Sequence, residues 1–179
     1  LSMASILMFF AITTSALLVK KGDIVSWEAF KLPTVFYLST AIFLCSSALM
    51  HYAKNLYEQT KFSKSRLVMI MSIILSLLFI YTQYLGFQSL EALGKPLDGN
   101  ASGSFIYVIV IAHALHIIGG VFFSLIILIK AFLNRNDKNF ELNNITNPKR
   151  LLYMELISIY WHFIDFIWIY LFIFFYFNY

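Results

Sequence analysis

Long apolar runs alternate with short charged stretches along the whole chain. No Asp, Glu, Lys or Arg occurs in residues 1–19, 32–53, 67–90 or 99–129. Each run is long enough to span a bilayer as a helix, which requires about 20 apolar residues. A fifth apolar run, residues 151–179, contains two acids, Glu155 and Asp165. The pattern predicts an all-α integral membrane protein, one domain folded as a five-transmembrane-helix bundle. The helices are predicted at about 2–19, 33–52, 67–90, 104–132 and 151–178.

The composition favours the same class. Of the 179 residues, 60% are hydrophobic and 12% are charged, whereas a soluble domain carries about 25% charged residues. The first run lacks the basic start and small-residue cleavage site of a secretory signal peptide, so we expect it to be a span. The single cysteine, Cys45, excludes an intrachain disulfide, and we expect it to be a buried thiol.

The net charge of +4 indicates membrane topology and not nucleic-acid binding. With five spans, the loops between helices 2 and 3 and between helices 4 and 5 share one side of the membrane. They carry nine basic residues, against four on the other side. Because basic loops stay in the cytoplasm, this asymmetry predicts a cytoplasmic N-terminus and a periplasmic C-terminus.

The fifth predicted helix carries the most specific signal, a polar stripe. Glu155, Ser158, His162 and Asp165 follow one another at steps of three, four and three, which places them on one helix face. A carboxylate in hydrocarbon costs several kcal/mol unless it is paired or hydrated. The stripe must therefore face protein, lipid headgroups or water.

The fourth predicted helix offers partners for that stripe. His113 and His116 are three residues apart and share a face, and Gly120, one turn further, allows a close approach of a neighbouring backbone. Gln83 on the third helix must also find a partner away from lipid. We expect a polar network between helices 4 and 5, and its members are His113, His116, Glu155, His162 and Asp165.

Two other chemistries remain open. A haem could lie between His113 and His162, or copper could bind those two residues together with His116. Intramembrane acids and histidines are also typical of transporters. No Cys or Met cluster has ligand spacing, and no interrupted helices or hydrolase motif are visible. A free-standing haem or copper redox protein and a stand-alone transporter are therefore alternatives, and we predict no catalytic, cofactor or metal residue in this chain.

Two motifs together resemble subunit III of the haem-copper oxidases, which include cytochrome c oxidase. On helix 5, Glu155 stands ahead of the run Trp161-His162-Phe163-x-Asp165-x-x-Trp168. On helix 4, His113-x-x-His116-x-x-x-Gly120 follows Gly103-Ser104 at the family's spacing. Gln83 also stands where the family commonly has glutamine. The resemblance covers essentially all five helices.

The resemblance implies the five-helix bacterial form of a non-catalytic subunit in a proton-pumping terminal oxidase of aerobic respiration. Such a subunit lies in the bacterial inner membrane beside catalytic subunit I and other oxidase subunits. It binds no haem or copper, which belong to the partner subunits, and it holds phospholipids and supports proton uptake; a respiratory supercomplex is left open as a partner. We expect the lipid cleft to border the network, with these residues: Gln83, His113, His116, Glu155, Trp161, His162, Asp165 and Trp168.

Two departures favour a structural and lipid-holding role. Many members of the family carry a buried glutamate ahead of a Phe-Phe pair in the first shared helix, but residues 5–11 contain no acid. Many members also have a glutamate three residues after the Gln83 position, where this chain has Gly86.

Overall fold

Five long helices make up the described chain. A computed structural model describes residues 2–23, 32–94, 101–134 and 148–179. The helices are α1 (Ser2–Asp23), α2 (Val35–Glu58), α3 (Phe62–Ala92), α4 (Ala101–Leu133) and α5 (Pro148–Asn178). Each is long and apolar enough to cross a membrane, and within the described ranges there is no strand. The predicted all-α fold with five spans is confirmed. The structure does not distinguish the two sides of a membrane, so the orientation stays a prediction.

The turn between α2 and α3 is much shorter than the charge pattern predicts. The predicted loop began at the first lysine after the apolar run, but α2 continues to Glu58 and α3 begins at Phe62. Lysine and glutamate are good helix formers, and Lys54 Nζ lies 2.8 Å from Glu58 Oε1 one turn later. Thr60, with a φ of 59°, reverses the chain. Charge therefore marks where the apolar run ends and not where the helix ends.

Helices α2, α3, α4 and α5 form a closed ring in which each helix packs against the next and α5 returns to α2. Helix α1 packs on the outside of this ring, in the groove between α4 and α5, and has no packing contact with α2 or α3 among the residues that the structure describes. The interior of the bundle is therefore lined by α2 to α5.

Helix α1 is attached to α5 by two polar contacts. The hydroxyls of Thr14 and Tyr170 lie 2.8 Å apart. Two turns further, Lys21 Nζ donates to the backbone carbonyl of Asn178 at 2.9 Å. A cation at the C-terminal end of a helix also interacts favourably with the helix dipole. The two helices run parallel, and this contact holds their ends together.

The α2–α3 pair is the most extensive contact in the bundle. Two sets of α2 residues recur at intervals of seven and are buried: Phe36, Phe43 and Met50, and Ser39, Ser46 and Ala53. A seven-residue repeat keeps one side of a helix against its partner. Small residues also let membrane helices approach closely.

Serine side chains connect α2 and α3 at the middle of this interface. Ser46 Oγ lies 2.7 Å from Ser76 Oγ and 2.9 Å from the carbonyl oxygen of Ser72. Ser72 Oγ donates to the carbonyl oxygen of Ser46 at 2.8 Å. Nearer the turn, Ser65 Oγ donates to the Ala53 carbonyl at 2.7 Å. We call Ser46, Ser65, Ser72 and Ser76 the serine ladder.

Cys45 is exposed, so the prediction that its thiol is buried is wrong. Its neighbours Ser46 and Ser47 are buried in contact with α3 and α5. Cys45 falls on the outer side of α2, because the side toward the bundle is already occupied by the seven-residue repeat.

Candidate functional site

His113 is the point at which all five helices meet. This α4 residue is 1% exposed, and its ring stacks on Trp168 of α5 with centroids 5.0 Å apart. Phe43 of α2 and Phe79 of α3 approach it edge-on at 5.8 and 6.0 Å. Phe10 of α1 does so at 6.1 Å. We call these four side chains around His113 the aromatic cage.

The aromatic cage gives His113 no polar partner. Neither of its ring nitrogens has a hydrogen-bond partner among the described residues. Its surroundings are those of a packed core residue, because four aromatic rings fill the space that a ligand or a metal would need. In this structure His113 therefore packs the helices together.

The inward face of α5 carries Trp161, Asp165 and Trp168, all buried. Trp168 Nε1 donates to Thr40 Oγ1 of α2 at 2.9 Å, and the Asp165 carboxyl interacts with Ser47 of α2. Trp161 Nε1 and Asp165 Oδ1 have no hydrogen-bond partner within the described ranges. The two polar groups that do find partners on this face find them on α2.

His162 also contacts α2 and not the α4 histidines. Its Nδ1 lies 2.9 Å from Ser47 Oγ, and its Nε2 lies 3.3 Å from Nδ1 of His51. Both imidazoles are exposed at the outer edge of the α2–α5 contact. Of the polar stripe of α5, His162 and Asp165 thus contact α2.

His116 lies on the groove that α1 occupies. Its ring is partly buried, 5.7 Å from that of Phe10, and its Nδ1 lies 2.7 Å from the Ala112 carbonyl oxygen of the same helix. Its own carbonyl accepts a hydrogen bond from Tyr160 of α5 at 2.9 Å. A Cβ on Gly120 would lie 2.9 Å from the Tyr160 ring. Gly120 thus permits a close α4–α5 approach, although a tyrosine ring, and not the expected backbone, fills the space.

Glu155 stands apart from the other predicted site residues. It is exposed and lines a shallow pocket with Lys149, Leu151 and Leu152. It also interacts electrostatically with Lys54 of α2. The structure does not bring Glu155 to the histidines of α4.

Gln83 of α3 has a partner for its amide nitrogen but none among the described residues for its amide oxygen. It is 2% exposed, and its Nε2 donates to Ser39 Oγ at 2.9 Å. This contact continues the line of the serine ladder toward the other end of the α2–α3 pair. The sequence analysis did not identify Ser65, Ser72 and Ser76 on α3 as packing residues. The signal that could have found them is their near-heptad spacing, which mirrors that of α2.

Taken together, the described contacts form a structural polar seam. Helix α2 makes side-chain hydrogen bonds or polar contacts with α3 and α5. Helix α4 packs the His113 ring on Trp168 and accepts hydrogen bonds at backbone carbonyls from Tyr160 and Arg66. No group of three or more His, Cys, Asp or Glu residues is placed to hold a metal ion in the described part of the chain. This arrangement suits a scaffold that docks to other membrane proteins.

A family model described as cytochrome c oxidase subunit III matches residues 4–179. The chain belongs to the cytochrome c oxidase subunit III family. It is 30% identical to cytochrome c oxidase subunit 3 of Bacillus subtilis (strain 168) over 152 residues, which cover 84% of this chain and 68% of that relative.

Two further relatives are cytochrome c oxidase subunit 3 of Bacillus sp. (strain PS3) and of Drosophila yakuba. The first is 30% identical over 81% of this chain and 65% of its own length. The second is 26% identical over 84% of this chain and 51% of its own length. The chain thus spans between half and about two thirds of the length of these relatives.

Family membership confirms the resemblance drawn from the motifs on α4 and α5. The chain is a membrane-spanning subunit III of a haem-copper oxidase of the respiratory chain, and it associates with other oxidase subunits. Subunit III is not the subunit that carries the redox centres. The comparisons do not favour a free-standing redox protein or a stand-alone transporter.

Proposed function

We propose that this subunit packs beside catalytic subunit I of a proton-pumping terminal oxidase in a bacterial inner membrane. The observation that carries the proposal is the family match over residues 4–179 together with five membrane-spanning helices. The subunit's role is mechanical: it supplies a rigid apolar wall that keeps lipid and water from disturbing its neighbour.

The wall is rigid because its contacts are distributed among all five helices. Lipid tails are as apolar as leucine, so packing and interhelical hydrogen bonds must hold membrane helices together. Here the serine ladder holds α2 to α3, and Ser47 and Thr40 hold α2 to α5. The aromatic cage around His113 joins these helices to α1 and α4.

The proposed orientation places the N-terminus in the cytoplasm and the C-terminus in the periplasm. At one end of the bundle Arg66 donates to the Ala131 carbonyl at 3.2 Å, close to the charged end of α2. Lys21 marks the opposite end, beside Asn178. In a Cys45→Ala background, Ser63→Cys should be protected from a membrane-impermeant maleimide in intact cells, and Gly22→Cys should be labelled. The opposite pattern would reverse the orientation.

The residues predicted to border the lipid cleft fall into a buried group and an exposed group, and we propose different roles for the two. The buried members of the predicted set (Gln83, His113, Trp161, Asp165 and Trp168) hold helices together and do not meet lipid. The exposed Glu155 lies with Lys149, Leu151 and Leu152 in one pocket. A cation, an acid and two apolar side chains suit the phosphate, the amine and the acyl chain of a zwitterionic phospholipid.

Lipid mass spectrometry of the purified complex tests this division. Glu155→Gln with Leu152→Ser should release one phospholipid per complex, whereas the matched control Glu58→Gln should release none. The same lipid content in all three preparations would contradict the proposed pocket. His116→Ala should release no lipid either, because that ring faces Phe10 of α1.

Affinity purification tests the function itself. The tagged chain, extracted in mild detergent, should carry a haem-bearing subunit with it, and the chain alone should be colourless. A Soret band or stoichiometric metal on the isolated chain would instead support the redox-protein alternative. Solute movement by the isolated chain in vesicles would support the transporter.

A further inference from the structure

Two imidazoles from different helices face each other at the edge of the bundle. Nδ1 of His51 on α2 lies 3.3 Å from Nε2 of His162 on α5. The two rings are tilted by 52°, with centroids 5.3 Å apart. Both residues are exposed. The contact between the two imidazoles is not the only tie between these helices, since Trp168 Nε1 of α5 also donates to Thr40 of α2.

The contact of His162 with Ser47 prepares the pair for a metal ion. His162 Nδ1 lies 2.9 Å from Ser47 Oγ. When this nitrogen carries the proton and donates to the hydroxyl, Nε2 is left with its lone pair directed at His51. Metal-binding histidines almost always use the second nitrogen in this way, which fixes the tautomer and the ring orientation.

The separation of the two nitrogens fits a tetrahedral ion. With Zn–N bonds of 2.0–2.1 Å, two nitrogen ligands of a tetrahedral zinc ion lie about 3.3 Å apart. We propose that His51 and His162 bind a zinc ion that bridges α2 and α5. No third His, Cys, Asp or Glu completes the set among the described residues, so water fills the remaining two positions.

The surroundings admit both the ion and the water. Lys54, one turn from His51, pairs with Glu58, and Glu155 interacts with Lys54 across the α2–α5 contact. Glu58 and Glu155 each stand seven residues from one of the histidines, on the same helix faces. These charged side chains place the pair near the charged end of α2, where carboxylates stand beside lysines.

Metal counting on the chain, purified with the partners that it retains in mild detergent, tests the site. After chelation and equilibration with Zn²⁺ alone, His51→Gln and His162→Gln should each lose one zinc ion per complex relative to the unmodified chain. The matched control His116→Gln should lose none, because that ring lies on the far side of α5. The haem spectrum of each preparation shows whether the complex with the haem-bearing subunit is intact. The zinc content therefore tests this site, and the haem spectrum tests the proposed function separately.

Two further variants keep both imidazoles or replace one with another ligand. Ser47→Ala should weaken zinc binding about tenfold, the effect typical of a lost second hydrogen bond on a metal-bound histidine. His51→Cys should retain the ion, and Co²⁺ in its place should then show a sulfur-to-cobalt charge-transfer band. Equal zinc content in the unmodified chain and in His51→Gln, or no such band in His51→Cys, would overturn the proposal.

Discussion

Gly120 is the position at which a single methyl group tests the packing of α4 against α5. In Gly120→Ala the new Cβ would lie 2.9 Å from Tyr160 Cε1 and 3.3 Å from Cδ1, well inside the usual carbon–carbon contact distance of about 3.5–4.0 Å. The ring cannot turn away freely, because Tyr160 Oη donates to the His116 carbonyl at 2.9 Å.

The expected magnitude follows from three terms. Overpacking a well-filled site costs about 1–3 kcal/mol, and loss of the Tyr160 hydrogen bond adds about 0.5–1.5 kcal/mol. The higher helix propensity of alanine offsets about 1 kcal/mol. We therefore expect Gly120→Ala to lower the free energy of unfolding by about 0.5–3.5 kcal/mol in total.

Gly119 is a matched control one residue away. A Cβ there would meet only Tyr160 Oη, at 3.9 Å, so Gly119→Ala should be neutral or should stabilise by up to about 1 kcal/mol. The measurement is equilibrium unfolding of the purified chain in mixed micelles of a mild detergent and dodecyl sulfate. Equal effects of the two alanines would refute the proposed contact.

A double-mutant cycle isolates the contact from other effects of the added methyl group. In a Tyr160→Ala background the ring is absent, so Gly120→Ala should no longer destabilise the chain. A penalty of the same size in both backgrounds would show that the methyl group clashes with something other than Tyr160.

Substitutions of Ser46, Lys21 and His113 test the rest of the packing, by the same unfolding measurement for Ser46 and His113 and by hydrogen exchange for Lys21. Ser46→Ala should destabilise the chain by about 1 kcal/mol, the scale of interhelical hydrogen bonds in membranes. The control Ser89→Ala should not, because the Ser89 hydroxyl contacts only its own helix, at Leu85. Equal effects of the two substitutions would contradict the serine ladder. Lys21→Met should lower the free energy of local opening of α1 by about 0.5–1 kcal/mol. Amide hydrogen exchange should then be faster in α1 but not in α3. Unchanged exchange would contradict a stabilising contact between Lys21 and Asn178. His113→Leu should change stability by less than about 1 kcal/mol, because it removes a polar group without a described partner. His113→Ala should destabilise the chain by about 2–4 kcal/mol, because it leaves a cavity. A large loss of stability in His113→Leu would reveal a polar partner of the ring.

The sequence predicted the number of spans because the absence of charge over about 20 residues is a direct signature of a bilayer. It misplaced the α2–α3 turn because charge excludes a residue from hydrocarbon but not from a helix, as Lys54 and Glu58 demonstrate. The spacing of Glu155, His162 and Asp165 correctly gave a shared face on α5, yet spacing does not say which helix that face meets.

The choice of neighbour depends on the whole ring of helices. His162 has its described polar contacts with α2, through Ser47 and His51. His113, a polar residue by sequence, fits the aromatic cage because four rings from the other four helices converge on it. Neither outcome is encoded in the periodicity of one segment, since each depends on contacts between residues far apart in the chain.

A density map of the purified complex is the measurement that tests the central claim most directly, namely that this subunit is a bundle without haem or copper, held together by helix packing and docked to an oxidase. The account predicts haem and copper density only in neighbouring subunits, Trp168 stacked on His113, and the Asp165 carboxyl directed at α2. Iron or copper on His113 or His116, or Asp165 facing the bilayer, would contradict it.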